Sequence, residues 1–269
     1  MLHTKVHRTL IVPVLALLLD LFVYNSPLWA IAQPSNLQVQ EPSSRTQLPA
    51  GFTQPMVQAQ ATPIVQRRSG RRKPASARGP CSPSEKSLTA LIPESNMGLT
   101  VAERPTLFFY IPPTPATMVE LVLLDEESGD KVYETTLPIT GSPGIISVRL
   151  SASPTLRSLE IGKDYHWYFS IVCDPDDRAG DIYVDGWIRR VEPNPILVGY
   201  LQKASPHELV ALYRNDDLWY DTVTTLAEQH RSNPHNSVVA TEWVTMLKSV
   251  GLEDILREPF NVRESVGER

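Results

Sequence analysis

The chain has 269 residues, of which 42% are hydrophobic and 20% are charged, and its net charge is −5. This length allows one or two domains, and this hydrophobic content is sufficient for a packed core. Residues 33–80 hold seven basic residues and one acidic residue, so the negative charge lies in the remainder of the chain, and we expect no nucleic-acid partner.

The first 32 residues have the pattern of an export signal. Lys5 and Arg8 precede an apolar run, and Ala30 and Ala32 form a small-residue pair before a cleavage site at Gln33. An uncleaved anchor is the alternative, although the apolar run is a little short to span a bilayer. No cysteine follows the run, so a lipid anchor is not indicated. We expect an exported protein, periplasmic or extracellular, that meets a membrane only if the signal stays uncleaved.

Residues 33–78 are predicted to form a disordered linker. The segment is rich in Pro, Gln, Ser and Ala and has few large apolar residues, so it cannot bury enough surface to offset the entropy of ordering. Its excess of arginine has two interpretations. It is either a solvated tail that folds back on the acidic body or an attachment to an anionic lipid or glycan surface.

From Leu88 onward, short apolar runs separated by turn residues predict six strands. The runs are TLFFYIP, VELVLLD, KVYETTLPI, GIISVRL, YHWYFSIVC and DIYVDGWIRRVE, and LTALIP is a possible seventh. Ser128, Gly129 and Asp130 between two of the runs are typical of a hairpin turn. No helical period interrupts the runs, so residues 79–194 are predicted to form a β-sandwich domain.

The run KDYHWYFSIVC predicts which side chains of one strand face the core. Successive side chains of a strand alternate between its two faces. One face carries Tyr165, Trp167, Phe169, Ile171 and Cys173, and the other carries His166, Tyr168 and Ser170. The first set is more apolar and is predicted to be the core face, with Trp167 at its centre.

The segment LEIGKDY resembles the tyrosine corner of immunoglobulin-like and fibronectin type III domains. Leu159 lies six residues before Tyr165, with Gly162 between them. In those folds the tyrosine hydroxyl is bonded to the backbone just upstream. The resemblance implies an immunoglobulin-like or fibronectin-III-like sandwich in which Tyr165 begins the penultimate strand.

The two cysteines, Cys81 and Cys173, are predicted to form a disulfide. Export would place them in an oxidising compartment, and an even count leaves one intramolecular pairing. A catalytic thiol is the alternative, and it would need a histidine partner. His166 is the nearest histidine in sequence, and its odd separation from Cys173 on one strand puts the two on opposite faces.

The aspartate-rich loop CDPDDRAGD is predicted to be an ordinary turn. Its carboxylates, from Asp174, Asp176, Asp177 and Asp181, are hard oxygen ligands of the kind that calcium binds. The spacing of an EF-hand calcium loop is absent, however, and an exposed turn requires the same polar residues. The chain also lacks the common catalytic and nucleotide-binding motifs. We therefore expect no metal, no cofactor and no enzymatic activity.

Residues 195–258 are predicted to form a helical segment packed on the sandwich. Ser205 and Pro206 are a helix start signal, and a second helix follows over residues 217–231. Together these helices resemble one tetratricopeptide repeat, with Tyr213 at a matching offset. Core packing is the simpler explanation of the apolar positions, and peptide binding is the alternative.

A third helix is predicted from Ser237, because apolar residues follow it at helical spacing. Gly251 is expected at the C′ position after this helix and Leu252 at C″, as in a Schellman motif. Residues 259–269 are predicted to form a tail.

Several long blocks of the sequence occur in an order that carries a family resemblance. The blocks are SARGPC, LTALIPE, RPTLFFYIP, ELVLLDE, VYETTLP, PGIISVRL, LEIGKDYHWYFSIVCDPDDRAGDIYVDGWIRRVE, DLWYDTVTTLAE and LKSVGLEDI. They extend from about Arg78 to Pro259, and in this order they resemble the cyanobacterial domain-of-unknown-function family 928. The resemblance implies an exported cyanobacterial protein and carries no activity, ligand or catalytic residue.

Two classes of function remain for such a sequence. The first is a non-enzymatic envelope protein that binds a partner or has a structural role. The second is a carbohydrate-directed protein, either a binding module or a glycoside hydrolase. Exposed aromatic side chains in a groove would favour the second class, and we expect them at His166, Tyr168 and Tyr183. No pair of acidic residues stands out as flanking a scissile glycosidic bond.

Overall fold

Eight strands and four α-helices make up the part of the chain that the computed structural model describes, namely residues 67–74, residue 81 and residues 86–261. All of these residues fall within one compact unit of residues 59–269. The predicted export signal, residues 1–32, and most of the predicted linker lie outside the described residues.

The strands follow one another between Thr89 and Arg190. They are β1 (Thr89–Ala90), β2 (Met97–Thr100), β3 (Thr106–Ile111), β4 (Met118–Asp125), β5 (Lys131–Pro138), β6 (Gly144–Arg149), β7 (Asp164–Val172) and β8 (Ile182–Arg190). The six predicted strands are present as β3 to β8, and LTALIP supplies β1. The sequence does not predict β2, because this strand has only four residues and includes Gly98, which weakens a strand pattern.

The strands form two sheets. One sheet has three strands in the order β1-β3-β6, and the other has five in the order β2-β8-β7-β4-β5. Neighbouring strands are antiparallel except β2 and β8, which pair in parallel. This parallel pair joins an early segment of the chain to the last strand, so it depends on contacts between residues far apart in sequence.

The two sheets share one core. Phe109 of β3 stacks on Phe169 of β7 with ring centroids 3.8 Å apart, and it meets Trp167 edge-on at 5.5 Å. Tyr165, Trp167 and Phe169 are each at most 1% exposed, which confirms the predicted core face of β7. A β-carbon on Gly186 of β8 would lie 2.5 Å from the Trp167 ring, so glycine is needed there to leave room for the indole.

The helices that follow the sheets are α1 (Pro195–Tyr200), α2 (Pro206–Asn215), α3 (Trp219–Ser232) and α4 (Ser237–Ser249). Ser205 and Glu208 cap α2 through reciprocal hydrogen bonds, as the start signal predicts. The chain leaves α4 through Gly251 with a φ of 69°, as predicted. The sequence does not predict α1, because Leu197 is the one buried residue among its six and it therefore has no apolar period.

Helix α3 docks on the sheets through Tyr220. The Tyr220 hydroxyl accepts a hydrogen bond from the Trp167 Nε1–H at 3.0 Å and donates one to the Trp187 carbonyl at 3.1 Å. Since Tyr220 is only 2% exposed, α3 belongs to the same core as β7. Within the described ranges, no helix has the length and apolar character needed to cross a bilayer.

The predicted limits of the linker and of the tail are wrong for two short segments. Residues 67–74 fall within the predicted linker, yet they are bonded to the body, as by the Arg68 N–H to the Ser95 carbonyl at 2.7 Å. Residues 259–261 fall within the predicted tail, yet the Asn261 N–H donates to the Ile145 carbonyl of β6 at 2.8 Å. Composition does not reveal either contact, because each one is a backbone hydrogen bond to a part of the chain far away in sequence. Such bonds satisfy backbone groups that would otherwise be unpaired, whatever the side chains are.

Candidate functional site

The outer face of β7 and β8 carries a group of aromatic and charged side chains that we call the aromatic face: His166, Tyr168, Tyr183, Asp185 and Trp187. In the antiparallel register, His166 lies opposite Trp187, and Tyr168 lies opposite Asp185. Alternate residues of paired strands share a face, so all five lie on the side of the sheet opposite to Trp167. The structure brings together the three aromatic positions predicted from the sequence and adds Asp185 and Trp187, which the sequence analysis did not identify.

A chain of hydrogen bonds runs through the aromatic face. His166 Nε2 lies 2.9 Å from Asp185 Oδ2, and the Tyr168 hydroxyl lies 3.2 Å from His166 Nδ1. The imidazole also stacks on the Trp187 ring, with centroids 3.8 Å apart. Both imidazole nitrogens therefore have partners, which fits a ring that donates from Nε2 to the carboxylate and accepts at Nδ1 from the phenol.

The surroundings of Tyr168 keep its phenol protonated. Burial raises the pKa of Tyr168 above its ordinary value, and the nearby Asp185 carboxylate raises it further. A carboxylate, an imidazole and a hydroxyl in this order also form the catalytic triad of serine hydrolases, in which the hydroxyl is the nucleophile. A phenol that stays protonated is a poor nucleophile, and its oxygen can still accept a hydrogen bond while its proton is donated to His166, so this arrangement is suited to binding polar ligands.

Residues 67–74, which we call the strap, lie across one edge of the aromatic face. The Arg71 N–H donates to the Asp185 carbonyl at 3.2 Å, and the Asp185 N–H donates to the Arg71 carbonyl at 3.1 Å. The Arg71 guanidinium lies 5.1 Å from the centroid of the Tyr183 ring, which is a cation–π contact. The strap therefore adds a cation to the aromatic face.

Gly70 and Asn96 fix the course of the strap. A β-carbon on Gly70 would lie 2.6 Å from the Trp187 ring, so the backbone passes closer to the indole than another residue would allow. Asn96, whose backbone is left-handed with a φ of 57°, donates from its side-chain amide to the carbonyls of Arg68 and Gly70, each at 3.0 Å. The strap thus has one defined position on the body, fixed by the close approach at Gly70 and by the bonds from Asn96.

The strap also joins the sheets to the helices. The Arg72 guanidinium donates to the Ile92 carbonyl at 3.3 Å and to the carbonyl of Val250, the C-cap of α4, at 2.6 Å. A cation is favourable at a helix C-terminus. Ion pairs strengthen the attachment: Arg68 with Glu126 and Asp164, and Lys73 with Asp254. For these residues, the structure supports a basic segment that folds back on the acidic body.

Cys81 and Cys173 are joined by a disulfide, with their α-carbons 5.6 Å apart. The bridge connects the chain after the strap to the residue that follows β7, across a sequence separation of 92. Neither thiol is free, so the alternative of a catalytic cysteine is wrong.

The aspartate-rich loop between β7 and β8 is held by backbone groups and by Arg178. Asp181 accepts a hydrogen bond from the Cys173 N–H at 3.0 Å, and Asp177 accepts one from a backbone N–H two residues on, also at 3.0 Å. Arg178 donates to Glu120 at 2.9 Å, and this contact is the main cause that raises the pKa of Arg178. Among the described residues, no three His, Cys, Asp or Glu side chains are grouped so as to hold a metal ion.

Tyr165, the residue assigned to a tyrosine corner, is buried near the start of β7. Its hydroxyl accepts a hydrogen bond from the Glu160 N–H, five residues upstream, at 3.1 Å. Burial is the largest cause that raises the pKa of Tyr165. The bond ties β7 to the segment that leads into it.

A cleft of about 340 Å³, which we call the helix cleft, lies between residues 93–97 and helices α2, α3 and α4. Met97 and Met246 provide its buried apolar lining, and Arg214 and Asp217 are its exposed charged residues. No local sequence signal reveals this cleft, because its walls come from segments that meet only in the fold.

A smaller pocket, of about 180 Å³, is lined mainly by residues 100–106 and by helix α3, and one of its lining residues is Asp221. Asp221 of α3 accepts a hydrogen bond from the Val101 N–H at 3.1 Å. Burial raises the pKa of Asp221 to about 6. This carboxyl therefore changes its charge at a pH well above that at which an exposed aspartate does so.

These features define a class of protein with a two-sheet β body, a basic strap and a docked helical segment. The chain belongs to the family described as Domain of Unknown Function (DUF928), whose family model matches residues 69–260. The match begins inside the strap, so this segment is part of the family domain. No curated protein matches the chain. Among solved structures, the chain is similar to the fn3 domain of human collagen alpha-1(XX) chain, at 16% identity and a TM-score of 0.27, over 45% of this chain and 93% of that one.

Proposed function

We propose that this chain is an exported protein of the cell envelope that binds a glycan through the aromatic face without catalysing a reaction. The observation that carries the proposal is that His166, Tyr168 and Tyr183 lie together on a partly exposed face, beside the Asp185 carboxylate. Sugars present apolar C–H faces and polar hydroxyl edges. A surface that combines partly exposed aromatic rings with the exposed guanidinium of Arg71 suits both, and the buried Asp185 carboxylate holds the His166 ring in place.

The bonding within the aromatic face favours binding over glycoside hydrolysis, which is the alternative. A hydrolase needs two carboxyl groups that face the scissile bond. The nearest pair is Glu126 and Asp185, whose oxygens lie 3.9 Å and 2.9 Å from the two nitrogens of His166. Asp185 is bonded to His166, and Glu126 accepts from the Trp187 Nε1–H at 2.9 Å, so both carboxylates already have partners.

Export is the second part of the proposal. The basic, apolar and small residues at the amino terminus support it. The disulfide supports it too, because paired thiols persist in oxidising compartments. The resemblance of the sequence blocks to a cyanobacterial family supports a cyanobacterial source. Cell fractionation followed by amino-terminal sequencing tests both the location and the cleavage before Gln33.

The finer architecture is a further proposal. The stacking of Phe109 on Phe169 between the sheets supports an immunoglobulin-like or fibronectin-III-like sandwich. The bond from the Glu160 N–H to the Tyr165 hydroxyl supports its tyrosine corner. Helices α2 and α3 would then be a single tetratricopeptide-like hairpin that serves mainly to cover the core.

Glycan binding is tested by titration calorimetry of the purified chain with cellopentaose, chitopentaose and soluble peptidoglycan fragments. We expect at least one of these to bind and Tyr168→Ala to weaken that binding at least about tenfold. Truncating an aromatic residue that anchors a ligand costs about 2 kcal/mol or more, and a tenfold change in Kd is about 1.4 kcal/mol. Tyr200→Ala is the matched control, because Tyr200 is a tyrosine of α1 that is 52% exposed and lies outside the aromatic face.

Two results would contradict the proposed binding surface. One is the absence of binding to every probe, and the other is an equal loss of binding in Tyr168→Ala and Tyr200→Ala. The release of new reducing ends from a bound oligosaccharide, stopped by Glu126→Gln, would identify a hydrolase instead.

A further inference from the structure

The helix cleft is distinct from the aromatic face and has the size of a small-molecule site. Its volume of about 340 Å³ lies at the lower end of the range for ligand pockets, about 300–1,000 Å³. Met97 and Met246 in its lining are 4% and 2% exposed, and Trp219 lies beside them. Methionine side chains adapt to irregular apolar shapes, so this lining accommodates an apolar group of variable form.

Within the part of the chain that the structure describes, two charged residues of the helix cleft lack partners, whereas the other polar side chains of the cleft have them. The Ser95, Thr222 and Ser249 hydroxyls donate to the backbone carbonyls of Met97, Leu218 and Met246, and the Trp219 indole N–H donates to that of Leu91. The side chains of Arg214 and Asp217 make no hydrogen bond or ion pair with any residue that the structure describes, including each other. A cation and an anion, three residues apart, are therefore both available to a ligand.

Asp217 occupies a backbone position that favours glycine. Helix α2 ends in a Schellman motif, in which the Leu218 N–H donates to the Tyr213 carbonyl at 2.9 Å and the Asp217 N–H donates to the Arg214 carbonyl at 3.3 Å. Asp217 is the C′ residue of that motif, with a φ of 56°, and the equivalent residue after α4 is Gly251, with a φ of 69°. Aspartate is one of the few residues besides glycine that adopt this conformation, usually at some cost relative to glycine. The position therefore places a carboxylate at the cleft, and Asp217→Gly can remove it without straining the backbone.

We propose that the helix cleft binds a free apolar α-amino acid in its zwitterionic form. The Arg214 guanidinium pairs with the ligand carboxylate, and the Asp217 carboxylate pairs with the ligand ammonium group. The apolar side chain of the ligand lies against Trp219 and the two methionines. An internal residue of a peptide has neither charge, and a terminal residue has only one, so the two available charges favour a free amino acid.

Titration calorimetry of the purified chain with L-phenylalanine, N-acetyl-L-phenylalanine and L-phenylalaninamide distinguishes the contributions of the two ligand charges to binding. The N-acetyl compound lacks the ammonium charge, and the amide lacks the carboxylate charge. We expect L-phenylalanine to bind and each blocked derivative to bind at least about tenfold more weakly, because each one lacks a charge that the cleft pairs. A tenfold change in Kd is about 1.4 kcal/mol, which is just below the usual contribution of a hydrogen bond to a charged group. L-Leucine and L-methionine are the companion probes.

Asp217→Gly is the most informative variant, because glycine suits the left-handed C′ position. We expect its melting temperature to equal or exceed that of the unmodified chain, while its preference for L-phenylalanine over the N-acetyl derivative disappears. Arg214→Gln should in turn lose the preference over L-phenylalaninamide. Lys203→Gln removes an exposed cation outside the helix cleft and is expected to leave all three affinities unchanged.

Three outcomes would overturn the inference. Equal binding of L-phenylalanine and its N-acetyl derivative would identify the carboxyl end of a peptide as the occupant. Equal binding of all three phenylalanine compounds would show that the cleft recognises only the apolar side chain and neither charge. No binding of L-phenylalanine, L-leucine or L-methionine would rule out the proposed class of ligand, and none of these results depends on whether the aromatic face binds a glycan.

Discussion

The two faces of strand β7 are built for different purposes. On the inner face, Tyr165, Trp167 and Phe169 are at most 1% exposed, and the last two pack against the ring of a phenylalanine from the other sheet. On the outer face, His166 and Tyr168 are bonded to each other, and His166 is also bonded to a carboxylate. Packing decides which residues fit the inner face, whereas hydrogen bonding and charge decide which fit the outer one. Substitutions on the inner face should therefore change stability, and those on the outer face should change binding.

Trp167→Ala is expected to give the largest effect on stability. It removes a fully buried indole and deprives the Tyr220 hydroxyl of its donor, so the free energy of unfolding should fall by about 3–5 kcal/mol in urea denaturation. Tyr168→Ala, one residue along on the outer face, should lower it by about 1 kcal/mol or less. Equal losses of stability in the two variants would contradict the claim that the inner face, and not the outer one, determines stability.

The disulfide at the end of β7 is expected to give the next effect. Replacing Cys81 and Cys173 together by serine should lower the free energy of unfolding by about 2–5 kcal/mol, because the bridge closes a long loop in the unfolded chain. A reducing agent should destabilise the unmodified chain by a similar amount and leave the double variant unchanged. Two thiols that alkylate without prior reduction would contradict the bridge.

Asp221→Asn tests the carboxyl group of the smaller pocket. Burial raises the pKa of Asp221 to about 6 from a usual 3.8. The folded state therefore holds the proton more tightly than the unfolded state, so its contribution to stability is full below about pH 4 and is lost as the pH rises through about 6. The neutral variant should lack this loss and be more stable at about pH 8, by on the order of 2 kcal/mol. Parallel pH profiles of the melting temperature would show that the group is not perturbed.

Gly70→Val is expected to release the strap at a cost of about 1 kcal/mol in stability. The added side chain would meet the Trp187 ring, so trypsin should cut the variant at Arg71 and Arg72 faster than it cuts the unmodified chain. Ser69→Ala, at an exposed neighbouring position, is the control. Rapid cleavage of the unmodified chain at the same bonds would mean that the strap is not docked in solution.

The aspartate-rich loop is expected to give the smallest effect. A calcium ion that binds only the folded state would raise the melting temperature by mass action. The loop carboxylates of Asp177 and Asp181 are already bonded to backbone N–H groups, so millimolar calcium and EDTA should give the same melting curve. A calcium-dependent shift that Asp176→Asn abolishes would identify a metal site in the loop.

The sequence predicts those elements whose signals are local. The alternation around Trp167 gave the facing of β7, and the capping residues Ser205 and Gly251 marked one end each of α2 and α4. These signals depend on a strand or helix period, or on a few neighbouring residues at a helix end. His166, Tyr168 and Tyr183 were accessible to the same reasoning, because each follows from alternation within a single strand.

The features that the sequence does not predict depend on partners far away in the chain. β2 is stabilised by its parallel pairing with β8, and the strap is held by Asp185 and Asn96. The helix cleft likewise appears only where the segment around Met97 meets the helices. A search for polar residues at the C′ position of a predicted helix would have drawn attention to Asp217, since glycine is the usual residue there.

The order of the strap and the disulfide along the chain has a mechanical consequence. A pulling force applied from the amino-terminal side of residue 67 would load the strap first, and the contacts described for the strap are non-covalent, namely hydrogen bonds, ion pairs and contacts with the Trp187 and Tyr183 rings. Once the strap detached, the load would pass through the disulfide from Cys81 to Cys173, so strands β1 to β7, which lie between the two cysteines, would be shielded from extension. The aromatic face would lose its arginine while those strands stayed folded. Tension on the amino-terminal segment would therefore remove a cation from the aromatic face, and the strap would bind again when the force is removed.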